Sequence, residues 1–121
     1  MKTFKYNKYG NEYEMSLSVS YYEINGNLAI AMYVNSDNVW EPWSNLTVNL
    51  DPILDKDCAY IDTNNNGEEI IAWIIRNRLA VPTGRIGYSG YCQYPEFRFH
   101  PEILQKIDLW GYGEYLNNFN C

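Results

Sequence analysis

From residue 12 to 21 apolar and polar positions alternate strictly. Tyr13, Met15, Leu17, Val19 and Tyr21 fall on one face, and Glu12, Glu14, Ser16, Ser18 and Ser20 on the other. A period of two predicts a strand with one buried and one wet side. Asn25-Gly26 follows and predicts a type I′ turn, whose central residues both need positive φ. Residues 28–34 then read as the returning strand, with Leu28, Ile30, Met32 and Val34 inward. A polar turn at 35–38 leads through Trp40 and Trp43 into 46–50, which alternates again and is expected to be the third strand of an antiparallel meander. Residues 58–61 read as a short edge strand. Residues 91–99 read as a further strand, where Pro95 implies an edge or a bulge because proline cannot donate to a ladder.

The period changes near residue 70. Ile70, Ile71, Ile74, Ile75 and Leu79 form an amphipathic stripe that predicts the main helix, over about 67–79. Asn65 or Asn66 is its expected cap, Glu68 and Glu69 suit its first turn, and Arg76 and Arg78 oppose the dipole near its end. Trp73 lies off the isoleucine stripe, so partial exposure is expected for it. Pro101 opens a short C-terminal helix over about 101–107. Residues 84–91, rich in glycine and tyrosine, read as a flexible loop, and 110–121 carry no assignable pattern. The expectation is one α+β domain over residues 1–121: an antiparallel β-meander sheet packed with one main amphipathic helix and a short C-terminal helix.

Composition sharpens this picture in two places. Aromatic residues make up 17% of the chain, with twelve tyrosines and four tryptophans, more rings than a core of this size can hold. Exposed tyrosines suit a protein interface, where they bring large area with few rotamers. The charge is also uneven: the net charge is −6, and residues 51–69 hold −5 of it through Asp51, Asp55, Asp57, Asp62, Glu68 and Glu69 against Lys56. All four arginines lie between residues 70 and 100. A pI near 4.6 argues against direct nucleic-acid binding and for a basic protein partner. The N-terminal residues offer no apolar run for a signal peptide, and nothing approaches a membrane span of roughly 20 apolar residues. Cys58, Cys92 and the terminal Cys121 are an odd number without Cys-x-x-Cys spacing, which fits reduced thiols and a cytoplasmic setting.

The candidate chemistry is sparse. Asp62, Asn64, Asn66 and Gly67 match the opening positions of a calcium loop, but Trp73 stands where the closing glutamate belongs. The plainer reading is an Asx-turn and helix cap. Cys58 or Cys92 with His100, the single histidine, is a conceivable nucleophile dyad without a local pattern to support it. Ser89 lacks the spacing of a nucleophile elbow. The clustered carboxylates would serve a glycosidase or nuclease only if two acids faced each other across a cleft, and they read more simply as a solvated face. Arg85 and Arg98 with Tyr88, Tyr91 and Tyr94 resemble a stacking platform for single strands, and suit a protein interface at least as well. No cofactor or metal is expected.

Taken in order, residues 46–50, 62–66, Pro82-Thr83-Gly84, Ser89-Gly90-Tyr91 and Tyr94-Pro95 followed by Phe97 and Phe99 resemble a family of small uncharacterised proteins carried on bacterial plasmids and conjugative elements. The resemblance spans about residues 20–108 and brings no catalytic residues. It implies a role in element maintenance or in countering host defence, of the anti-CRISPR or anti-restriction type. The leading expectation is therefore a non-enzymatic inhibitor or adaptor that binds a basic nucleic-acid-handling protein such as a CRISPR effector nuclease. Its expected contacts are Asp51, Asp55, Asp57, Asp62, Glu68 and Glu69, with Trp73, Tyr88 and Tyr91 as aromatic anchors. The alternative is a small ligand- or cation-binding module of the element's own machinery, with a weak cation site at residues 62–68.

Overall fold

The computed structural model describes residues 2–119 and is an α+β fold of two antiparallel sheets and four short helices. Cys121 lies outside the described residues. The first sheet is a meander of β1 (Phe4–Lys8), β2 (Asn11–Tyr21), β3 (Leu28–Ser36) and β4 (Val39–Asn45) in sequential order. Along β2 and β3 the alternation buries Met15, Leu17, Val19, Leu28, Ile30, Met32 and Val34, but Ser16, expected on the wet face, is buried too and Ser18 is half-buried. The preceding strand β1 has the same period in Phe4 and Tyr6, but its lysines mask it.

The tight turns fall elsewhere than at Asn25-Gly26. Lys8 pairs with Asn11 across Tyr9 and Gly10, and Ser36 with Val39 across Asp37 and Asn38; all four turn residues have positive φ. The β2–β3 connection instead spans residues 22–27, and only Gly26 there has positive φ. Its asparagines serve a different end. Asn25 Nδ2 donates to the Leu50 carbonyl, while Asn27 is buried, donating to Asn49 and the Asp51 carbonyl and accepting from the Ile53 N–H.

The strand that follows β3 in the meander is β4, carrying Trp40, Pro42 and Trp43, rather than residues 46–50. Pro42 is tolerated because β4 is an edge of its sheet. Leu46 then steps between the sheets, its N–H donating to Ile30 and its carbonyl accepting from Asp62. The second sheet runs β5 (Thr47–Val48), β6 (Cys58–Ile61), β8 (Cys92–Phe99) and β7 (Ala80–Ser89). β6 is thus an inner strand, where an edge was expected. Residues 84–91, expected as a loop, form the end of β7 and its turn into β8. Pro95 lies beyond the reach of β6, whose pairing with β8 begins at Glu96, and the register irregularity falls opposite, between Pro82 and Ile86.

The helix expected over 67–79 is two elements, α1 (Thr63–Asn66) and α2 (Glu69–Arg76), parted by Gly67 at φ 82°. Asp62, not Asn65 or Asn66, provides the side-chain cap, accepting from the Asn65 N–H, and α2 has no side-chain cap. α2 stops early because Arg78 adopts φ 55° and the Leu79 N–H closes onto the Ile74 carbonyl. Trp73 corrects a second expectation: it is 3% exposed, its Nε1 donating to the Lys5 carbonyl at 2.8 Å and its ring edge-on to Phe4 and Tyr6. The buried face is Ile70, Trp73 and Ile74, an i, i+3, i+4 set, and Ile75 is the residue left outside.

The chain ends in α3 (Pro101–Ile107), as expected, and α4 (Leu109–Asn118), which carried no signal. β1 covers β2 only up to Met15, so residues 16–21 of β2 would present a bare edge. α4 closes it. Asp108 accepts from the Gly111 N–H as the cap of α4 and from the Val19 N–H of β2 at 3.0 Å. A Cβ on Gly111 would lie 1.9 Å from the Val19 carbonyl oxygen, so only glycine permits this contact. The buried apolar side chains of both sheets and the helices form one cluster.

Candidate functional site

Folding divides the acidic window into an interior pair and two surface pairs. Asp57 is 4% exposed and sits at φ 70° in the turn before β6. Tyr112 Oη donates to its carboxylate at 2.7 Å, and Tyr115 Oη accepts its N–H at 2.8 Å. Burial and the adjacent Asp57 carboxylate push the Tyr112 phenol upward; burial pushes Tyr115 up to about 12. Asp62 is also buried, with both oxygens engaged by Asn65. Asp57 and Asp62 are therefore not surface contacts, and neither is Trp73. A buried carboxylate persists only where donors replace its water, and here α4 and the α1 backbone supply them.

The remaining four carboxylates stay outside in separate places. Asp51 and Asp55 lie on the loop held by Asn25 and Asn27. Asp55 pairs with Arg85 at 2.7 Å, and Arg85 also binds Glu96, a buried carboxylate that accepts from Thr83 as well. Both partners raise the Arg85 guanidinium, with the Glu96 hydrogen bond the larger cause. Glu68 and Glu69 start α2 on another side, where Glu69 pairs with Lys8 of β1. That bond lowers the Glu69 carboxyl and raises the Lys8 ammonium.

Tyr88 and Tyr91 are exposed as expected. Their setting is the distal half of the β7–β8 hairpin, beyond the last residue of β6, where the ribbon has only two strands. In β8, Phe97 and Phe99 face the core, and Pro95 and Gln93 continue the same face outward. Opposite them stand Ile86 and Tyr88, both largely exposed. The ribbon therefore carries the core-side face past the core and leaves it uncovered. Arg85 lies against Glu96 and Asp55, and Tyr94 is buried, so residues 85–98 do not form a single-strand stacking platform.

The nucleophile candidates do not assemble. Cys92 begins β8 and His100 follows its end, on the order of 25 Å apart at ~3.3 Å per residue. Cys58 is buried, and its thiol is pushed up to about 11, mainly by burial, which removes the reactive thiolate at neutral pH. Among the described residues no group of three or more His, Cys, Asp or Glu side chains could hold a metal ion. No helix among them is long and apolar enough to cross a membrane.

A site that sequence reasoning missed lies where side chains from the two edges of the first sheet meet. β1 and β4 are its two edges, about 14 Å apart in a flat four-stranded sheet. Yet the rings of Tyr6 and Trp43 on those edges are 6.0 Å apart. Beside them, lined as well by Asn65 and Asn66 of α1, is a pocket of about 250 Å³. The Tyr6 hydroxyl there is buried and has no hydrogen-bond partner. Nothing in the residue pattern signals this, because β1 and α1 meet only in three dimensions.

A family model described as a domain of unknown function, DUF4313, matches residues 16–119. The chain belongs to that family. The match begins within β2, so β1 lies outside it, and takes in the rest of the first sheet, the second sheet and all four helices. Neither a curated protein nor a solved structure matches the chain.

Proposed function

We propose that this DUF4313 protein is a non-enzymatic inhibitor or adaptor, encoded by a plasmid or conjugative element and acting in the cytoplasm. Its target is a basic, nucleic-acid-handling host defence protein of the CRISPR effector or restriction type. The observation that carries this reading is the uncovered β7–β8 ribbon. A two-stranded ribbon is marginal in water, and here its apolar face holds Ile86 and Tyr88, with Tyr91 fully exposed at the tip. Docking that face on another protein covers it, and tyrosines at such a contact supply area with little rotamer entropy.

Asp51 and Asp55 add the charge. They lie on the opposite side of β7, across Arg85, and suit the rim of an interface, where they would meet the Lys and Arg residues a nuclease otherwise offers to phosphate. Glu68 and Glu69 lie apart from the ribbon and belong outside this contact.

Affinity capture with the intact protein from lysate of a host bearing an active CRISPR or restriction system tests the reading. Capture of the effector or restriction enzyme is expected, abolished by Tyr88→Ala with Tyr91→Ala and weakened, with a shallower salt dependence, by reversal of Asp51 and Asp55 to Lys. Capture of no nucleic-acid-handling protein, or capture indifferent to all four substitutions, would sink it.

A further inference from the structure

The pocket between β1, β4 and α1 has the marks of a site rather than a packing defect. Buried hydroxyls without partners are rare because each costs the desolvation of the group. Tyr6 is 2% exposed, yet its hydroxyl is unpaired, while the other deeply buried phenols, Tyr112 and Tyr115, both have partners. The Tyr6 hydroxyl stands within electrostatic reach of Lys8, Tyr9 and Glu69, around the pocket it lines.

The lining states what would fit. Lys8 is the charged residue of the lining, and Glu69, which lies beside the pocket rather than in its wall, neutralises it. A phosphate at Lys8 would compete with the Glu69 carboxylate already bonded there, and a cation would meet the Lys8 ammonium, so neither is favoured. Lys8 Nζ uses two of its three donors, on Glu69 and the Asn66 carbonyl. The third, with the Tyr6 hydroxyl and the exposed Asn65 amide, offers both donors and acceptors. The aromatic rings that line the pocket are Tyr6, Tyr9 and Trp43. Trp43 is edge-on to Tyr6 at 78° and tilted at 48° to Tyr13, so neither pair is the parallel slot that clasps a flat base. A single ring face suits polarised C–H bonds, which are drawn to the negative face of an indole. The volume of about 250 Å³ lies below that of drug-sized sites and has room for one ring.

We propose that this pocket binds a neutral polyhydroxylated ring, a pyranose sugar residue, with its C–H face on Trp43 and one hydroxyl bonded to Tyr6 Oη. Hydroxyls that both donate and accept match a site holding both kinds of partner at zero net charge. The inference is independent of the protein-binding reading, since the ribbon and the Asp51–Asp55 loop contribute nothing to the pocket.

Saturation-transfer NMR on the full chain tests it, with the methyl pyranosides of glucose, galactose, mannose and N-acetylglucosamine as probes and adenosine as the flat-ring control. At least one pyranoside is expected to receive saturation at its ring C–H protons. Trp43→Ala should abolish that signal. Should Trp43→Ala fail to fold, Tyr6→Phe still decides, because it removes only an unpaired hydroxyl. It is expected to weaken binding about tenfold, the worth of one hydrogen bond, without lowering the thermal midpoint. Silence from all four pyranosides, a response to adenosine alone, or pyranoside binding undiminished in Tyr6→Phe would overturn the proposal.

Discussion

Buried tyrosines at two ends of the molecule show the same chemistry put to opposite uses. At the α4 end, Tyr112 and Tyr115 hold Asp57 between them, one donating to its carboxylate and the other accepting its N–H. The result is a staple: it fixes the turn before β6 and fastens α4 to the second sheet, while Asp108 fastens the same helix to β2 of the first. At the β1 end, Tyr6 is as deeply buried, but its hydroxyl meets a pocket and no partner. A satisfied network stabilises, and a buried hydroxyl costs stability until something in the pocket it lines supplies a partner. What separates a structural tyrosine from a ligand-ready one is thus the partner, since burial is the same for both.

The largest effect that can break the comparison comes from the anchoring of α4. Gly111→Ala places a methyl group against the Val19 backbone, which neither partner can yield, so a loss of about 3 kcal/mol or more is expected. Urea unfolding measures it, and a loss under about 1 kcal/mol would mean that α4 is not held as described.

Tyr112→Phe should cost about 2 kcal/mol, because it leaves the buried Asp57 carboxylate without its phenol donor. Tyr6→Phe, the same change at the other site, should leave stability unaltered or raise it by up to about 1 kcal/mol. Opposite signs in one denaturation series would establish the distinction, and equal losses would erase it.

Alkaline titration sharpens the contrast further. The folded phenols of Tyr112 and Tyr115 titrate above the ordinary value of 10, Tyr115 at about 12, so the folded state holds protons there that the unfolded chain has released. Stability is then complete below about pH 10 and falls as pH rises toward 12 and beyond. Tyr6 is raised as well, by burial, and adds with the same sign. Unfolding measured from pH 8 to 12 should therefore show a decline beginning near 10 that is reduced in Tyr112→Phe; a flat profile would contradict the buried staple. The smallest effect belongs to the surface: Asp55→Ala should change stability by under about 0.5 kcal/mol, since its ion pair with Arg85 is solvent-screened and Arg85 keeps Glu96.

Where one face is wet, the residue pattern sufficed. The alternation of β2 and β3 and the proline-led start of α3 are local signals with no competitor. Where tertiary contacts outweighed local preference, the pattern misled. Four isoleucines suggested a stripe centred away from Trp73, but the indole is the larger apolar body and has β1 to pack on, so Ile75 was displaced outward. Asn25-Gly26 is a strong turn signal, yet its amides are spent on the loop carrying Asp51. Two-residue turns formed instead at Tyr9-Gly10 and Asp37-Asn38, where pairing on both sides demanded them. The carboxylate cluster was legible as charge but not as geometry. Asp57 and Asp62 look no different in sequence from Asp51 and Asp55.

By itself the sequence determined an α+β chain with a meander, an amphipathic helix, an excess of aromatic rings and a concentration of negative charge, because each follows from period or composition. The tertiary structure alone decided which acids are interior, how far the β7–β8 ribbon outruns its neighbours, and that side chains from the two edges of the first sheet meet beside an unpaired phenol. Those features depend on which residues distant in the chain supply or withhold a hydrogen-bond partner, and local sequence carries no record of that.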